Sequence, residues 1–211
     1  MKKATIFANG EFTENSISLP EDGIVIAADG GAHHCLELGI LPDVVIGDFD
    51  SLTEEEITNL ENRHVELIRH PIDKDETDLE LALNKALEIG ATQITLYGLL
   101  GGRWDMSFAN LLLLAMARFT GIRFRVLAGK TEAFLLRSGE TLKLPGQSGD
   151  TVSAVPLSQT IEGLTYDGLR WPLENATLKL GTPRGVSNIL INNPAHIHVD
   201  DGLLLVFLLR Q

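Results

Sequence analysis

Three short stretches of the chain concentrate carboxylates: Asp29-Gly30-Gly31, Gly47-Asp48-Phe49-Asp50-Ser51 and Asp73-Lys74-Asp75-Glu76-Thr77-Asp78. Asp48 and Asp50 stand two apart in a segment that reads as extended, so their side chains point the same way. Carboxylates side by side repel and raise one another's pKa unless a cation lies between them. A hard, oxygen-seeking ion answers that problem, and Mg²⁺ is commonly held by one or two carboxylates with water and substrate phosphates. The plain alternative is a solvated turn that caps the next helix. A helix dipole would by itself explain Asp78, but not Asp73 and Asp75 just upstream, beside Lys74. A fourth stretch, Gly98-Leu99-Leu100-Gly101-Gly102-Arg103-Trp104-Asp105, offers glycine amides, a helix amino terminus and an arginine able to grip a phosphate with two N–H groups. It is not a P-loop, because no Gly-Lys-Ser/Thr follows, and its glycines do not fit a dinucleotide fingerprint.

Other candidates read more plainly. His33, His34 and Cys35 are adjacent and lack a second cluster at zinc spacing, so they read as ordinary helix residues. Glu54-Glu55-Glu56 reads as a solvated first helical turn favoured by the dipole. Trp171-Pro172-Leu173 and Ser187-Asn188 could hold a flat, partly polar ring by stacking and hydrogen bonds. From residue chemistry alone, however, the favoured reading is that Trp171 is β-domain core and Ser187-Asn188 a turn.

The elements that must position these residues alternate through the first 130 residues, the sequence form of a parallel α/β sheet. Strands are expected at Ala4–Ala8, Ile24–Ala28, Val44–Ile46, Val65–Ile68, Ile94–Tyr97 and Phe124–Leu127. Helices are expected at Ala32–Leu38, Thr53–Glu61, Asp78–Ile89 and Asp105–Thr120. In the third helix Leu79, Leu83, Ala86 and Leu87 line one face, Thr77 with Glu80 suggests a capping box, and Gly90 a stop. Beyond residue 130 only period-two segments remain, at Thr141–Leu144, Thr151–Pro156, Leu178–Leu180 and Leu203–Leu208. An α/β domain over 1–128 followed by a smaller all-β domain over 129–211 is therefore expected. In an open parallel sheet ligands bind beyond the carboxyl ends of the strands, and all four acidic or glycine-rich stretches fall in those strand-to-helix loops.

The net charge of −12 argues against nucleic-acid or anionic-membrane partners, which require clustered lysine and arginine. It arises in the first 124 residues, where 21 acids face 9 bases. No apolar run approaches the roughly 20 residues of a membrane span or forms a signal-peptide core. The single cysteine fits a reducing compartment, and a cytoplasmic protein is expected.

Taken in order, Ala28-Asp29-Gly30-Gly31-Ala32, Gly47-Asp48-Phe49-Asp50-Ser51, Lys74-Asp75-Glu76-Thr77-Asp78 and Gly101-Gly102-Arg103-Trp104-Asp105 resemble the thiamine pyrophosphokinase family. Gly168-Leu169-Arg170-Trp171-Pro172-Leu173 and Ser187-Asn188 resemble its second domain. The resemblance spans nearly the whole chain. It implies an α/β catalytic, ATP- and Mg²⁺-binding domain and a β-sandwich thiamine-binding domain. The activity implied is transfer of diphosphate from ATP to the thiamine hydroxyl, releasing AMP, in a homodimer with active sites at the interface. By the same resemblance Asp48, Asp50 and Asp78 would hold Mg²⁺ and phosphates with Asp29 close by. Gly30, Gly101, Gly102 and Arg103 would face ATP, and Lys74 and Thr77 would lie near substrate. Trp171, Ser187 and Asn188 would meet thiamine, and Asp75 or Asp105 could assist deprotonation. Met106 stands where bacterial members often carry histidine, and it can neither titrate nor donate a hydrogen bond.

Two rival readings follow from the same residues. Val44–Asp50 also resembles the strand and Asp-x-Asp motif of haloacid-dehalogenase-like phosphatases, in which Asp48 would be a covalent nucleophile. That reading leaves Asp29-Gly30-Gly31 unexplained. A non-catalytic thiamine- or nucleotide-binding protein is the other, although a sensor has no evident need for so many converging carboxylates.

Overall fold

The computed structural model describes residues 1–14, 17 and 19–211, which divide into two compact units, Met1–Gly129 and Lys130–Gln211. The first unit runs β1 (Lys2–Phe7), β2 (Gly23–Ala28), α1 (Gly31–Glu37), β3 (Val44–Gly47), α2 (Glu54–Asn62), β4 (Glu66–Arg69), α3 (Asp78–Glu88), β5 (Ala91–Tyr97), α4 (Trp104–Leu113) and β6 (Arg123–Ala128). Its strands pair in parallel in the order β6-β5-β1-β2-β3-β4.

Both faces of this sheet are covered, which is why its strands read as continuous apolar runs. Val25, Ala27 and Val45 pack with Ala32 and Cys35 of α1 and with Ile57 and Leu60 of α2. Alternate residues such as Ile26 and Ile46 are buried too, and α3 crosses against β2, β3 and β5. Cys35 is fully buried, and that burial pushes its thiol up to about 12, so it is an inert core residue.

Local chemistry corrects two helix expectations. The complete capping box belongs to Thr53 and Glu56 at the start of α2. At α3, Thr77 accepts the Glu80 N–H at 3.2 Å, but the Glu80 carboxylate pairs with Arg118 instead of returning to the cap. The last helix ends at Leu113, not Thr120: the 112→115 and 113→116 bonds tighten the chain, and a separate 3₁₀ turn at Ala117–Phe119 buries Phe119.

The second unit contains β7 (Thr131–Arg137), β8 (Thr141–Lys143), β9 (Thr151–Pro156), β10 (Thr160–Asp167), β11 (Leu173–Lys179), β12 (Asn188–Ile189), β13 (His196–His198) and β14 (Leu203–Leu209). These form two antiparallel sets, β12-β9-β14-β7 and β11-β10-β13-β8. Phe134, Ala154 and Val206 of one set share a core with Ile161, Leu178 and Ile197 of the other, a β-sandwich. No helix among the described residues is long and apolar enough to cross a membrane.

Candidate active site

The chain passes β1 to β4 outward on one side, then returns to lay β5 on the other side of β1. Strand order therefore reverses between β1 and β5, and the crevice beyond their carboxyl ends is where an open α/β sheet binds ligands. A cavity of about 650 Å³ lies there, walled by Asn9, Gly10 and Glu11 after β1, by Gly98–Arg103 after β5, and by Asp29 and Asp78. The two loops run together through Gly10 N–H to Gly98 O at 2.7 Å and Glu11 N–H to Leu100 O at 2.9 Å. A Cβ on Gly10 would stand 2.3 Å from Gly98 O, so only glycine permits this approach.

Asp29, Asp48 and Asp50 bring carboxylate oxygens within 4.8 Å of one another. Asp29 follows β2, is only 5% exposed, and its Oδ1 has no hydrogen-bond partner among the described residues. Asp48 and Asp50 lie on a turn rather than the expected extended segment. Phe49 is left-handed (φ 66°) and buried, so the Asp50 N–H folds back to Asp48 Oδ1 at 3.0 Å. This turn brings the two carboxylates together, and the Ser51 hydroxyl donates to Asp50 Oδ1 at 3.2 Å. Gly47 lets Asp29 close in from the side, since a Cβ there would stand 2.9 Å from Asp29 Cβ.

Lys74 Nζ lies 3.4 Å from Asp48 Oδ2 and 3.0 Å from Asp78 Oδ1. The Asp50 N–H, aided by Lys74, holds the Asp48 carboxyl below its ordinary value against the opposing effect of burial. Burial pushes Asp78 up, and Asp29 and Asp48 add to this while Lys74 opposes it. Burial pulls the Lys74 ammonium down, but Asp78 and Asp48 outweigh it and leave it raised. The cluster of Asp29, Asp48 and Asp50, in which the buried Asp29 Oδ1 has no donor among the described residues, fits a hard divalent cation.

The other expected residues are distributed less evenly. Gly30 does not line the cavity; it is required because a Cβ would collide with the Asn9 side chain at 2.5 Å. Gly101 and Gly102 do line it, but the Gly101 N–H is already donated to Ser107 Oγ at 3.0 Å. Arg103 lines the rim and forms an exposed pair with Asp105 at 2.5 Å, which keeps the Asp105 carboxyl low. Asp75 is exposed on the loop before α3. Thr77 lines the cavity while capping α3, and Met106 is also in the wall.

In the second unit Trp171 is 54% exposed, which excludes the core reading, and the Arg170 guanidinium lies over its ring at 5.2 Å. Asn188 is buried. Its Oδ1 accepts from Trp171 N–H at 3.1 Å and Ile189 N–H at 2.8 Å, and its Nδ2 donates to Trp171 O at 2.7 Å. Asn188 therefore holds the Trp171 backbone. Ser187 sits beside it in a left-handed conformation (φ 60°), its N–H donated to Ser153 Oγ at 3.0 Å.

Sequence reasoning passed over Asn9, Gly10 and Glu11 because strand order was not known, although Asn9-Gly10 directly follows an apolar strand. It also passed over Ser107 and Asn110. The Asn110 amide donates to Leu99 O at 3.0 Å, and the two residues stand three apart on an apolar helix, a spacing that turns both toward one loop.

Residues 18–126 match the family described as thiamin pyrophosphokinase, catalytic domain, and residues 140–204 match thiamin pyrophosphokinase, vitamin B1 binding domain. The chain is 33% identical over 186 residues to a thiamine pyrophosphokinase of Bacillus subtilis (strain 168), covering 88% of this chain and 87% of that one. A crystal structure of the Bacillus subtilis thiamine pyrophosphokinase superposes with a TM-score of 0.87 at 29% identity over 99% of each chain. A family protein from Enterococcus faecalis gives 0.84 at 26% identity over 100% of each chain.

Proposed function

Since the chain belongs to the thiamin pyrophosphokinase family and is an enzyme of thiamine diphosphate synthesis, we propose that it transfers diphosphate directly from ATP to the thiamine hydroxyl with Mg²⁺. Family membership sets aside the phosphatase reading. The observation that carries the metal assignment is the Asp29 carboxylate, whose buried Oδ1 has no partner among the described residues and which brings an oxygen within 4.8 Å of those of Asp48 and Asp50. Asp29, Asp48 and Asp50 would hold the ion, with Asp78 beside them. Bound there, Mg²⁺ would neutralise phosphate charge as it develops.

The remaining steps rest on the chain's own residues. ATP lies in the cavity between the Asn9–Glu11 and Gly98–Arg103 loops, with Arg103 turned from Asp105 to a phosphate. Lys74, fixed between Asp48 and Asp78, meets the phosphates as a point charge. Trp171 stacks the thiamine ring, Ser187 contacts it, and Asn188 keeps the indole in place. Asp75, or Asp105 once Arg103 has turned away from it, is the proposed acceptor of the hydroxyl proton. Little covalent help is required, because this chemistry depends mainly on positioning and charge neutralisation.

A homodimer is proposed as well. Trp104, Phe108 and Leu112 recur every four residues along α4 with exposures of 86%, 65% and 40%, an apolar stripe of the kind that marks an interface. A cytoplasmic location accords with the lone buried thiol.

The deciding experiment incubates purified protein with thiamine, ATP and Mg²⁺ and separates the products, with and without chelator. Thiamine diphosphate and AMP in equal amounts, formed only with metal, are expected. Thiamine monophosphate with ADP would overturn diphosphate transfer.

A further inference from the structure

Adjacent residues on a helix diverge by about 100°, so His33 and His34 of α1 reach different loops. His33 Nε2 lies 2.9 Å from the Ser51 carbonyl, and its Nδ1 lies 2.9 Å from Glu56 Oε1. Both partners only accept, so the ring satisfies both when each nitrogen carries hydrogen. The Ser51 carbonyl, with Glu56 and Asp29, holds its pKa above the ordinary value although burial opposes this. Glu56 is itself fixed by Thr53 N–H and Oγ1 at 2.8 Å. His33 thus ties Ser51, next to Asp50, to the first turn of α2. His34 turns the other way: its Nε2 lies 3.1 Å from the Gly10 carbonyl, and its ring stacks on Phe12 at 4.9 Å.

We propose that α1 is a two-sided brace in which His33 positions the Asp48–Ser51 loop for metal and His34 positions the Asn9–Glu11 wall for nucleotide. The inference rests on the metal and ATP reading above. Neither histidine touches a reacting atom; each acts through a loop carbonyl. One short helix beginning two residues after Asp29 thereby fixes the spacing between the cation and the nucleotide pocket. The sequence reading of this pair as ordinary helix residues misses the role, because it is carried by backbone carbonyls that no motif displays.

The test measures Mn²⁺ binding to the full chain by electron paramagnetic resonance without nucleotide, and the KM for ATP separately at saturating Mg²⁺. His33→Phe keeps the ring and removes both donors. Groups that orient metal ligands typically alter affinity about 10–100-fold, so its Mn²⁺ Kd should rise about tenfold with a smaller change in KM for ATP. His34→Phe should show the reverse, a raised KM for ATP with Mn²⁺ affinity retained. Equal losses of both constants in both variants would mean a merely structural role and would overturn the proposal. So would unchanged Mn²⁺ affinity in folded His33→Phe. Should that variant aggregate, His33→Leu, which also removes both donors, must still weaken Mn²⁺, and an unchanged Kd is again fatal. Wild-type protein that binds no Mn²⁺ would instead overturn the metal reading on which the brace depends.

Discussion

In the first unit, Asp29, Asp48 and Asp50 cluster at the strand ends of a parallel sheet, and Lys74 pairs with Asp48 and Asp78 beside them. In the second, a half-exposed indole stands beside an asparagine whose side-chain amide is bound to the indole's own backbone. In the first arrangement burial and the neighbouring carboxylates work against the charged form of Asp78, and the Asp29 Oδ1 has no donor among the described residues, conditions that an arriving cation relieves. The second is satisfied already: Asn188 fixes the Trp171 backbone, and the Arg170 guanidinium lies over the indole. The contrast suggests that the two halves of the reaction place different demands on protein. Handling phosphate charge requires stored repulsion that a metal relieves, whereas holding a flat organic cation requires a prepared surface and little else.

Substitutions that separate the two regions test this contrast. Asp50→Asn should give the largest effect, lowering kcat by at least about a hundredfold while thiamine binding measured by calorimetry is retained. An active Asp50→Asn enzyme would break the distinction at its acidic end. Trp171→Ala should raise the KM for thiamine by about tenfold and leave the Mg²⁺ dependence of the rate unchanged. A shifted Mg²⁺ requirement would mean that the two regions are not separable. Asp29→Asn should give the smallest shift, and it is read in stability. Removing a buried charge whose Oδ1 has no donor among the described residues should raise the metal-free Tm by about 2–4 °C in a thermal melt with chelator, even as turnover is lost. A lower Tm would show that no repulsion is stored there.

How far each region was legible in the sequence follows the same division. Asp48, Asp50, Lys74 and Asp78 announced themselves because clustered charge has few structural explanations, and the apolar runs of a sheet covered on both faces located the strands before them. Trp171 and Asn188 carry no such signal and were legible only through resemblance. Strand β10 went unread because Gly163, in a left-handed conformation (φ 65°), interrupts its alternation where the register shifts. Strand β7 is buried along nearly its whole length, which erases period two, and β13 has one apolar residue in three. The Phe49 turn was read as extended because a left-handed phenylalanine is not a conformation that residue type suggests.

The placement of β1 between β2 and β5 also bears on how the chain is made. Pairing of β1 with β2 can begin once Ala28 has left the ribosome, but the other edge of β1 must wait for Ala91–Tyr97. At about 5–20 residues per second of synthesis, that leaves an apolar parallel edge uncovered for roughly 3–14 s. A bare edge of this kind is a template for pairing with other chains. Cells producing this protein at high level therefore have reason to shield the nascent first unit until its fifth strand emerges, and the nucleotide crevice, whose second wall follows that strand, is among the last features to form there.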